Sequence, residues 1–213
     1  SKPAVLKRDL MPGRIPRIII GRLPLYLRAL QRLKKEGSVY ASSHELGELL
    51  DISAAQIRKD LSHFGELGKR GTGYEIDFLI CKLNEILNID QVWKTIIVGA
   101  GDIGRGLARY DGFVDRGFQV AAIFDVDTEK IGEEVGGLTI QHVDHMEPFI
   151  REHGIEIAVL AVPAENAQTA IDSLVEAGIT AILNYAPIYL KAPKNVQIEH
   201  IDPAVHLQKL SYY

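Results

Sequence analysis

A glycine-rich turn that joins an apolar segment to a helix-like segment constrains the fold of this chain more than any other feature. Residues 94–104 read Lys-Thr-Ile-Ile-Val-Gly-Ala-Gly-Asp-Ile-Gly, a β-branched run that breaks into Gly-x-Gly-x-x-Gly. In that pattern Gly99 permits a tight turn, Gly101 lets a pyrophosphate approach the backbone, and Gly104 allows a helix to pack closely on a strand. The first N–H groups of the helix then favour phosphate oxygens. The predicted binding loop consists of Gly99, Ala100, Gly101, Asp102, Ile103 and Gly104.

A second apolar strand, predicted over 120–124, brings a carboxylate to the same edge of the sheet. Asp125 follows this strand and lies 21 residues past Gly104, where an acidic side chain accepts hydrogen bonds from the adenosine ribose of a dinucleotide. Strand, glycines, helix, strand and acid in this order favour a dinucleotide site over a purely structural glycine turn. We also expect Asp125 to select NAD(H) over NADP(H), because a 2′-phosphate would face its carboxylate without a compensating charge.

The rest of the second half of the chain alternates strand-like and helix-like segments. Further strands are predicted at 139–142, 157–162, 181–184 and 196–201. Residues 165–177 have a helical pattern that ends at Gly178, a residue type that favours helix ends. Residues 203–213 form a last amphipathic helix. Such alternation predicts an α/β domain with a mainly parallel sheet.

The first ninety residues differ in charge from the rest of the chain. They carry 15 Lys and Arg against 11 Asp and Glu, whereas the remaining residues carry 9 against 17, within a net charge of −4. Residues 1–35 hold ten of these cations and one acid, Asp9. A basic head on an acidic body predicts a polyanionic partner at the head only. A solvated basic face is the alternative that charge alone leaves open.

Three predicted helices and a glycine-rich segment organise this basic head. The first helix covers about 19–36, with Pro24 marking an early first turn or a kink. Two capping boxes open shorter helices after Ser42 and Ser53. Residues 65–76 carry four glycines, which predicts a hairpin. Helix, helix-turn-helix and hairpin in this order predict a winged-helix domain.

Candidate DNA contacts lie on the polar face of the third predicted helix and on the wing. The major groove admits such a helix, and Arg or Lys can pair with guanine there, while basic wing residues reach phosphates or a minor groove. The candidate DNA-binding residues are Gln56, Arg58, Lys59, His63, Lys69, Arg70 and, on the first predicted helix, Arg22. A small helical interaction domain with an incidental basic surface is the alternative.

Several function classes are disfavoured. About 120 residues house a Rossmann sheet but no separate substrate domain, and no Gly-x-Ser-x-Gly nucleophile turn is present. His142, His145 and His153 lack a metal-ligand spacing, so the nucleotide is expected to be sensed rather than consumed, without a metal. No apolar run approaches the roughly 20 residues that span a bilayer. The single cysteine, Cys81, cannot form an internal disulfide and fits a reducing cytoplasm.

Specific short motifs are spread over nearly the whole chain. They are 57–62 (Ile-Arg-Lys-Asp-Leu-Ser), 64–65 (Phe-Gly), 68–74 (Gly-Lys-Arg-Gly-Thr-Gly-Tyr), the glycine loop, 124–127 (Phe-Asp-Val-Asp), 162–164 (Val-Pro-Ala), 184–187 (Asn-Tyr-Ala-Pro) and 207–213 (Leu-Gln-Lys-Leu-Ser-Tyr-Tyr). Together they resemble the redox-sensing transcriptional repressors called Rex. The resemblance implies a cytoplasmic bacterial homodimer that exchanges its C-terminal helices and binds double-stranded operator DNA, an inverted repeat.

The resemblance also implies NAD(H) as the ligand, with operator bound by the free or NAD⁺-bound protein and released when NADH binds. The predicted domains are a basic arm and winged-helix DNA-binding domain (1–78), a linker helix (79–91), a Rossmann NAD(H)-binding domain (92–201) and a C-terminal dimerisation helix (202–213). Two alternatives stay open: a repressor of the same build that responds to another nucleotide such as coenzyme A, and a small NAD-dependent reductase.

Roles for individual residues follow from the same resemblance. Arg58 and Lys59 would contact the operator, and Tyr110 would lie beside the nicotinamide. Further cofactor-binding residues would be Val162, Pro163, Asn184, Tyr185, Ala186 and Pro187. The switch residues would be Arg28, Arg70, Tyr110 and Asp202. Asp202 would bond Tyr110 in one state and one of the two arginines in the other.

Overall fold

The computed structural model describes residues 15–212. The chain divides between Gln91 and Val92 into two compact units. Residues 1–14, predicted to belong to a basic arm, and the terminal Tyr213 lie outside the described residues.

The first unit is built from helices around a short antiparallel sheet. Its elements are α1 (Arg17–Lys35), β1 (Tyr40–Ala41), α2 (Ser43–Leu50), α3 (Ala54–Ser62), β2 (Tyr74–Glu75) and α4 (Ile76–Leu87). Apolar side chains spaced three and four apart on these helices meet in one core. The fully buried side chains include Leu23, Leu30, Ile57, Leu79 and Leu83. The predicted winged-helix fold is confirmed, and α4, which covers most of the segment interpreted as a linker, is a packed element of this unit.

The first helix is helical throughout despite its internal proline. Pro24 has no N–H to donate to the carbonyl of Ile20, which would normally weaken a helix. Both residues lie on the exposed side of α1, so water can satisfy that carbonyl. The buried side of the helix, with Leu23 and Leu27, therefore keeps its packing.

The two predicted capping boxes differ in the structure. At the start of α2, Ser42 Oγ accepts the N–H of Glu45 at 3.1 Å and the Glu45 carboxylate accepts the N–H of Ser42 at 2.7 Å. At the start of α3, Ser53 Oγ accepts the N–H of Gln56 at 3.2 Å, but the Gln56 side chain donates to Asp60 at 2.7 Å. The second box is therefore only half formed, because a buried carboxylate takes the amide that would have closed it.

The wing is smaller than the hairpin predicted over 65–76. Strand β2 pairs antiparallel with β1, not with a strand inside that segment, and a bridge between Lys69 and Gly73 closes a tight turn. Gly73 has a φ of 85°, and a Cβ there would stand 2.5 Å from the carbonyl oxygen of Ala41. The glycines therefore serve a turn and a close strand contact, and the wing is the loop between them.

The second unit alternates strands and helices. Its elements are β3 (Trp93–Val98), α5 (Asp102–Ala108), a 3₁₀ helix (Asp111–Arg116), β4 (Phe118–Asp125), β5 (Glu134–Val135), β6 (Leu138–His142), a 3₁₀ helix (Val143–His145), α6 (Met146–His153), β7 (Ile157–Leu160), α7 (Ala164–Ala177), β8 (Ala181–Asn184), β9 (Gln197–His200) and α8 (Pro203–Leu210). The strand order is β5-β6-β4-β3-β7-β8-β9, with β5 antiparallel to β6 and the other pairs parallel. The parallel strands follow the order of a Rossmann fold, which confirms the predicted mainly parallel sheet.

Both faces of this sheet are covered, as a parallel sheet requires. Successive side chains of β3 point to opposite faces, so Ile96 joins one apolar cluster and Ile97 the other. Ile150 of α6 and Ile171 of α7 complete the first cluster. With its faces buried, the sheet exposes its carboxyl edge, where ligands bind in folds of this kind.

Candidate functional sites

The glycine loop follows β3 at the carboxyl edge of the sheet, and its three glycines have different surroundings. Gly99 has a φ of 103°, and a Cβ there would overlap the carbonyl oxygen of Ala161. A Cβ at Gly104 would overlap the carbonyl oxygen of Gly99, so its absence lets α5 pack against the turn. Gly101 is exposed, with open space where a Cβ would stand. Packing requires two of the glycines, and the middle one leaves the room that a pyrophosphate needs.

The remaining loop residues place helix donors at this edge. Ala100 is fully buried, whereas Asp102 and Ile103 are exposed at the start of α5. Gly101 caps the helix and makes no side-chain hydrogen bond to its first turn. The first N–H groups of a helix have no partner within the helix, so this end favours an anionic ligand.

Asp125 ends β4 beside the loop and is almost fully buried. Its Oδ2 accepts the N–H of Ala100 at 2.7 Å, and its Oδ1 accepts the N–H of Asp127 at 2.9 Å. The ammonium of Lys130 lies 3.4 Å from Oδ2. Burial alone would raise the pKa of Asp125, but the two backbone donors and the lysine outweigh it and hold that pKa below its usual value. An ionised acceptor is therefore fixed at the edge where the sequence predicts the ribose.

Sequence reasoning missed Lys130. We expected Asp125 to stand without a compensating charge, and the structure contradicts this, because the lysine returns to the carboxylate from a turn five residues later in the chain. The short sequence Asp-Thr-Glu-Lys at 127–130 is typical of a turn. The turn could be predicted from the sequence, but the direction of the lysine side chain could not.

Tyr110 follows α5 and is held against the adjacent 3₁₀ helix. Its ring packs edge-on against Phe113, with centroids 5.0 Å apart, and its hydroxyl accepts a hydrogen bond from Arg116 Nη1 at 2.8 Å. A Cβ at Gly112 would overlap the ring, so that glycine makes this position possible. Tyr110 is nearly half exposed. Arg116 was not identified from the sequence, although it lies on the same short helix as Gly112 and Phe113.

Asp202 lies between β9 and α8, where it caps the last helix. Its Oδ1 accepts the N–H of Ala204 at 2.9 Å, and Pro203 occupies the first helical position, where a missing N–H costs nothing. Helix α8 exposes all of its side chains within this chain. The exposed apolar ones include Val205, Leu207, Leu210 and, just beyond the helix, Tyr212.

The turn after β8 is organised by Asn184, which is fully buried. Its amide nitrogen donates to the carbonyl oxygens of Ala186 at 3.0 Å and Ile188 at 3.2 Å and lies 3.0 Å from His200 Nδ1, while its oxygen accepts the N–H of Ala186 at 2.9 Å. Asn184 therefore shapes the turn rather than facing solvent. A cavity of about 220 Å³ opens beside it, lined by Ala186, Pro187, Ile188, Tyr189, His200, Ile201, Asp202, Val205 and His206.

The other predicted cofactor residues flank these features at the same edge of the sheet. Tyr185 follows β8 and is half-buried. Val162 and Pro163 follow β7, and Val162 Cγ1 would lie 3.0 Å from a Cβ at Gly99. Val162 is partly buried and Pro163 exposed. The carboxyl ends of β3, β4, β7 and β8 thus carry all the predicted cofactor residues except Tyr110, which follows α5.

Five of the seven predicted DNA contacts are exposed, on the third helix, at its end and on the wing. Arg58 and Lys59 are exposed on α3, His63 is exposed directly after its last residue, and Lys69 and Arg70 are exposed on the wing. Arg58 Nη1 donates to Ser43 Oγ at 2.8 Å, which links its side chain to the start of α2. Basic side chains on the helix and on the adjoining turn are thus exposed, where a nucleic acid can reach them.

The two other predicted DNA contacts are engaged with a buried carboxylate. Arg22 of α1 donates to Asp60 through Nε at 2.5 Å and Nη2 at 2.7 Å, and Gln56 donates to it at 2.7 Å. The hydroxyl of Tyr26 donates to the same carboxylate at 2.5 Å. Burial would raise the pKa of Asp60, but these donors outweigh it and hold that pKa below its usual value. Arg22 and Tyr26 therefore join α1 to α3 through Asp60, whereas the Gln56 bond lies within α3.

Asp60 and Tyr26 were missed by sequence reasoning, although a signal was present. Ile57 and Leu61 mark the core face of α3, and Asp60 lies between them on that face. An aspartate at a core-facing helix position needs hydrogen-bonding partners, because an unpaired buried charge is costly. Its partners were not predictable, since Arg22 is 38 residues away in the sequence.

The four implied switch residues are divided between the units. Arg28 and Arg70 are exposed residues of the first unit, and Tyr110 and Asp202 belong to the second. Within the described chain, Tyr110 and Asp202 each bond a different residue. Their pairing with each other stays a prediction.

Two further observations concern residues 15–212. In this part of the chain no three His, Cys, Asp or Glu side chains form a group that could hold a metal ion. None of the helices described there is long and apolar enough to cross a membrane.

Comparison with known proteins places both units. Residues 14–62 match the family model "Putative DNA-binding protein N-terminus", and residues 90–188 match the model "CoA binding domain". The redox-sensing transcriptional repressor Rex of Chloroflexus aurantiacus is 48% identical over 198 residues, which cover 93% of each chain.

Solved structures give the same result. RSP, a Rex-family repressor, in complex with β-NAD⁺ and operator DNA has a TM-score of 0.88 at 38% identity, with 94% of this chain and 93% of RSP covered. RSP in complex with β-NADH has a TM-score of 0.85 at 37% identity, with 94% of each chain covered. Since the similarity extends through both units, this chain belongs to the Rex family of redox-sensing transcriptional repressors.

Proposed function

We propose that this protein is a transcriptional repressor that senses the ratio of NADH to NAD⁺, binding operator DNA when free or NAD⁺-bound and releasing it when NADH binds. The observation that carries the proposal is a single chain in which an exposed basic helix, α3, accompanies a Rossmann edge with an open glycine and an ionised aspartate. RSP has been captured with NAD⁺ and operator DNA and, separately, with NADH. The protein is accordingly a regulator rather than an enzyme, and it acts on DNA in the bacterial cytoplasm.

The DNA-binding part of the proposal rests on α3 and the wing. Arg58 and Lys59 project from α3 and are exposed, so the helix can enter a major groove with Arg58 at a guanine edge. Lys69 and Arg70 on the wing contact phosphates or a minor groove. Arg22 supports binding indirectly, because its bonds to Asp60 tie α3 to α1 and fix the direction of α3, while Gln56 holds the same carboxylate from within α3.

The ligand-sensing part rests on the chemical difference between the two nicotinamide rings. The reduced ring is neutral and puckered, whereas the oxidised ring is planar and cationic. A ligand shifts a two-state protein only through its different affinity for the two states. Tyr110, Tyr185 and the buried Ala186 beside the cavity are walls that favour an uncharged ring in the state that cannot bind DNA.

Dimerisation rests on the last helix. Leu207 and Leu210 are about two-thirds exposed within this chain, and Val205 about two-fifths. A helix with such a face is stabilised by a partner surface, so we propose that α8 is exchanged with a second copy. A two-fold dimer presents two winged helices, and its operator is therefore an inverted repeat.

Coupling between ligand and DNA is proposed to run through a change of hydrogen-bond partners. In the described chain Arg116 holds the hydroxyl of Tyr110. NADH binding would move Tyr110 toward Asp202, and Asp202 would give up an arginine of the basic head, Arg28 or Arg70. Such an exchange gives two discrete arrangements and changes the spacing of the winged helices.

The matched CoA binding domain model supports a second candidate, a repressor of the same build that responds to coenzyme A. The adenosine ribose of coenzyme A carries a 3′-phosphate, whose charge the ionised Asp125 would repel and Lys130 would only partly offset. NAD(H) instead offers hydroxyls that this carboxylate can accept. The site chemistry therefore favours NAD(H).

A DNA-release titration tests the proposal and separates the two candidates. The full-length protein first selects an inverted-repeat duplex from a random-sequence library. The labelled duplex is then bound at physiological salt, and release is followed by fluorescence anisotropy while NADH, NAD⁺ or coenzyme A is added. We expect release by NADH at concentrations that leave the complex intact with NAD⁺ or coenzyme A.

Two controls complete this titration. A duplex with a scrambled half-site should bind weakly and respond to none of the three ligands. Equal release by NADH and NAD⁺ would contradict redox sensing, and release by coenzyme A alone would establish the second candidate.

A further inference from the structure

The turn after β4 brings a cation to the carboxylate at the predicted ribose site. Lys130 Nζ lies 3.4 Å from Asp125 Oδ2 and 3.5 Å from Asp127 Oδ2. Two hydrogen bonds close the turn: the N–H of Glu129 donates to Asp127 Oδ1 at 3.0 Å, and the N–H of Lys130 donates to the Asp127 carbonyl at 3.1 Å. The backbone of the turn thus places Lys130 beside both carboxylates, and their charges hold the ammonium there.

The surroundings of Lys130 leave it able to bond a ligand as well. Its side chain is 32% exposed, against 8% for Asp125. An ammonium has three donors, and both carboxylates lie beyond 3.3 Å from it, which is longer than a strong charge-assisted bond. A phosphate on the adenosine ribose would therefore meet a carboxylate and an ammonium together, not a carboxylate alone.

We propose that Lys130 is a specificity-determining residue that limits how strongly the site rejects a 2′-phosphorylated adenosine ribose. The inference rests on the proposed function, because it takes Asp125 as the ribose acceptor. Asp125 disfavours the phosphate and Lys130 favours it. The preference for NADH over NADPH then depends on both side chains. Removal of Asp125 should lower this preference, and removal of Lys130 should raise it.

A purely structural role for Lys130 predicts a different result. If the lysine only held the Asp125 carboxylate in place, its loss would lower the affinities for NADH and NADPH by the same factor. A role in specificity instead changes the ratio of the two affinities. The ratio is therefore the quantity to measure.

Direct binding of the full-length protein, without DNA, provides this ratio. NADH and NADPH affinities are measured by the fluorescence of the reduced nicotinamide for the parent protein and for Lys130→Met, Lys130→Arg, Asp125→Asn and the double variant Asp125→Asn/Lys130→Met. We expect Lys130→Met to lower NADPH affinity relative to NADH affinity roughly tenfold. Lys130→Arg, which keeps the charge, should retain the parent ratio.

The Asp125→Asn background makes the effect measurable even where the parent protein binds NADPH weakly. Loss of the carboxylate charge should raise NADPH affinity, and Lys130→Met in that background should remove the gain. The difference between these changes gives the coupling of the two side chains. Lys94→Met is the matched control, because it removes an exposed lysine near the start of β3, at the amino end of the strand that leads into the glycine loop.

The outcomes separate the inference from the proposed function. A Lys130→Met variant that loses both affinities equally, or an Asp125→Asn gain that persists without Lys130, overturns the inference alone. A parent protein that binds neither dinucleotide overturns the proposed function and this inference with it. A changed ratio in Lys130→Met with an unchanged ratio in Lys94→Met supports the role of Lys130.

Discussion

Each unit of the chain buries an aspartate, and the two carboxylates are satisfied in different ways. Asp60 accepts hydrogen bonds from side chains only, and two of its partners come from α1. Asp125 accepts backbone N–H groups from the glycine loop and from its own turn. Partners on another helix make Asp60 a joint between two elements. Backbone partners make Asp125 an acceptor whose position does not depend on which side chains surround it.

The two carboxylates also differ in how many hydrogen bonds they accept within the protein. A carboxylate has about four acceptor positions. Asp60 fills four, with two bonds from Arg22 and one each from Tyr26 and Gln56. Asp125 accepts three, one of them the 3.4 Å contact with Lys130. Asp60 is therefore saturated within the protein, whereas Asp125 can still accept a ligand hydroxyl.

The largest expected effect tests the saturated carboxylate. Asp60→Ala leaves the Arg22 guanidinium partly buried without its partner, which typically costs about 3–5 kcal/mol of unfolding free energy. Urea unfolding checks this value. Operator affinity should fall as well, because α3 loses its tie to α1, while NADH affinity should be unchanged.

Asp77→Ala is the control for that variant. It removes an ion pair with Lys34 at 2.7 Å in which both side chains are mostly exposed, and such pairs contribute less than about 1 kcal/mol. If the two variants lose similar stability, the distinction between the joint and an ordinary surface pair is wrong.

Asp125, which can still accept a ligand hydroxyl, should affect NADH binding and not operator binding. Asp125→Ala should lower NADH affinity by about 1.5–3 kcal/mol, the usual range for hydrogen bonds to a charged group, and leave operator affinity without ligand unchanged. Isothermal titration with NADH and anisotropy with the selected duplex measure the two quantities. A variant that loses operator affinity but keeps NADH affinity would reverse the comparison.

The helix that Asp60 positions offers the next test. Arg58→Ala should weaken operator binding by about 1–3 kcal/mol and relax specificity at one base pair if the arginine pairs with guanine. Lys69→Ala on the wing should weaken all sequences alike and flatten the salt dependence. Lys82→Ala, which removes a partly exposed lysine of α4 paired with Glu85, is the control. An unchanged operator affinity in folded Arg58→Ala would remove that residue from the interface.

The same comparison explains which parts of the protein were predictable. The glycine loop, Asp125 and the parallel sheet follow from motifs and periodicities within short segments, and the structure has them where the sequence predicts strands and turns. The role of Asp60 depends on residues of another helix, so no local pattern contains it. Gln56 shows the limit of local patterns. The sequence predicts that its side chain closes a capping box, but that side chain bonds the buried carboxylate of Asp60 instead.

The prediction of the wing hairpin was wrong, and the role of Lys130 was missed, for related reasons. Four glycines in 65–76 predict a turn, but they do not say that the following strand pairs with Ala41, thirty-three residues earlier than Tyr74. Lys130 lies in a predictable turn, yet the direction of its side chain depends on the position of Asp125 in the sheet. Pairing partners and side-chain directions are tertiary properties, and short sequence patterns do not specify them.

Acid should weaken the contribution of Asp60. Its pKa is below the usual value in the folded protein, whereas the unfolded value is about 3.9. Its stabilisation is therefore present in full above the unfolded pKa and is lost as pH falls through the folded pKa. The difference in urea midpoint between the parent protein and Asp60→Asn should be constant from about pH 7 to pH 5 and should narrow toward pH 3. A difference that does not change over this range would mean that the pKa of Asp60 is the same in the folded and unfolded states.

The smallest expected effect concerns a second arginine–tyrosine pair, this one without a carboxylate. Arg22 and Tyr26 meet around Asp60 in the first unit, whereas Arg116 and Tyr110 bond directly on an exposed turn. An exposed pair with one hydrogen bond can open, and Asp202 is the carboxylate proposed to replace Arg116 at the tyrosine.

Two substitutions should therefore shift the NADH response in opposite directions. Arg116→Gln removes the restraint on Tyr110, so half-release of the operator should need a few-fold less NADH, in line with about 1 kcal/mol for one hydrogen bond. Tyr110→Phe removes the hydroxyl that both partners use, so it should bind DNA normally and need more NADH, as should Asp202→Ala. The anisotropy titration with the selected duplex measures all three. If Tyr110→Phe and Asp202→Ala release DNA at the same NADH concentration as the parent protein, the coupling runs through other residues. If Arg116→Gln and Tyr110→Phe shift in the same direction, Arg116 does not compete with Asp202 for the tyrosine.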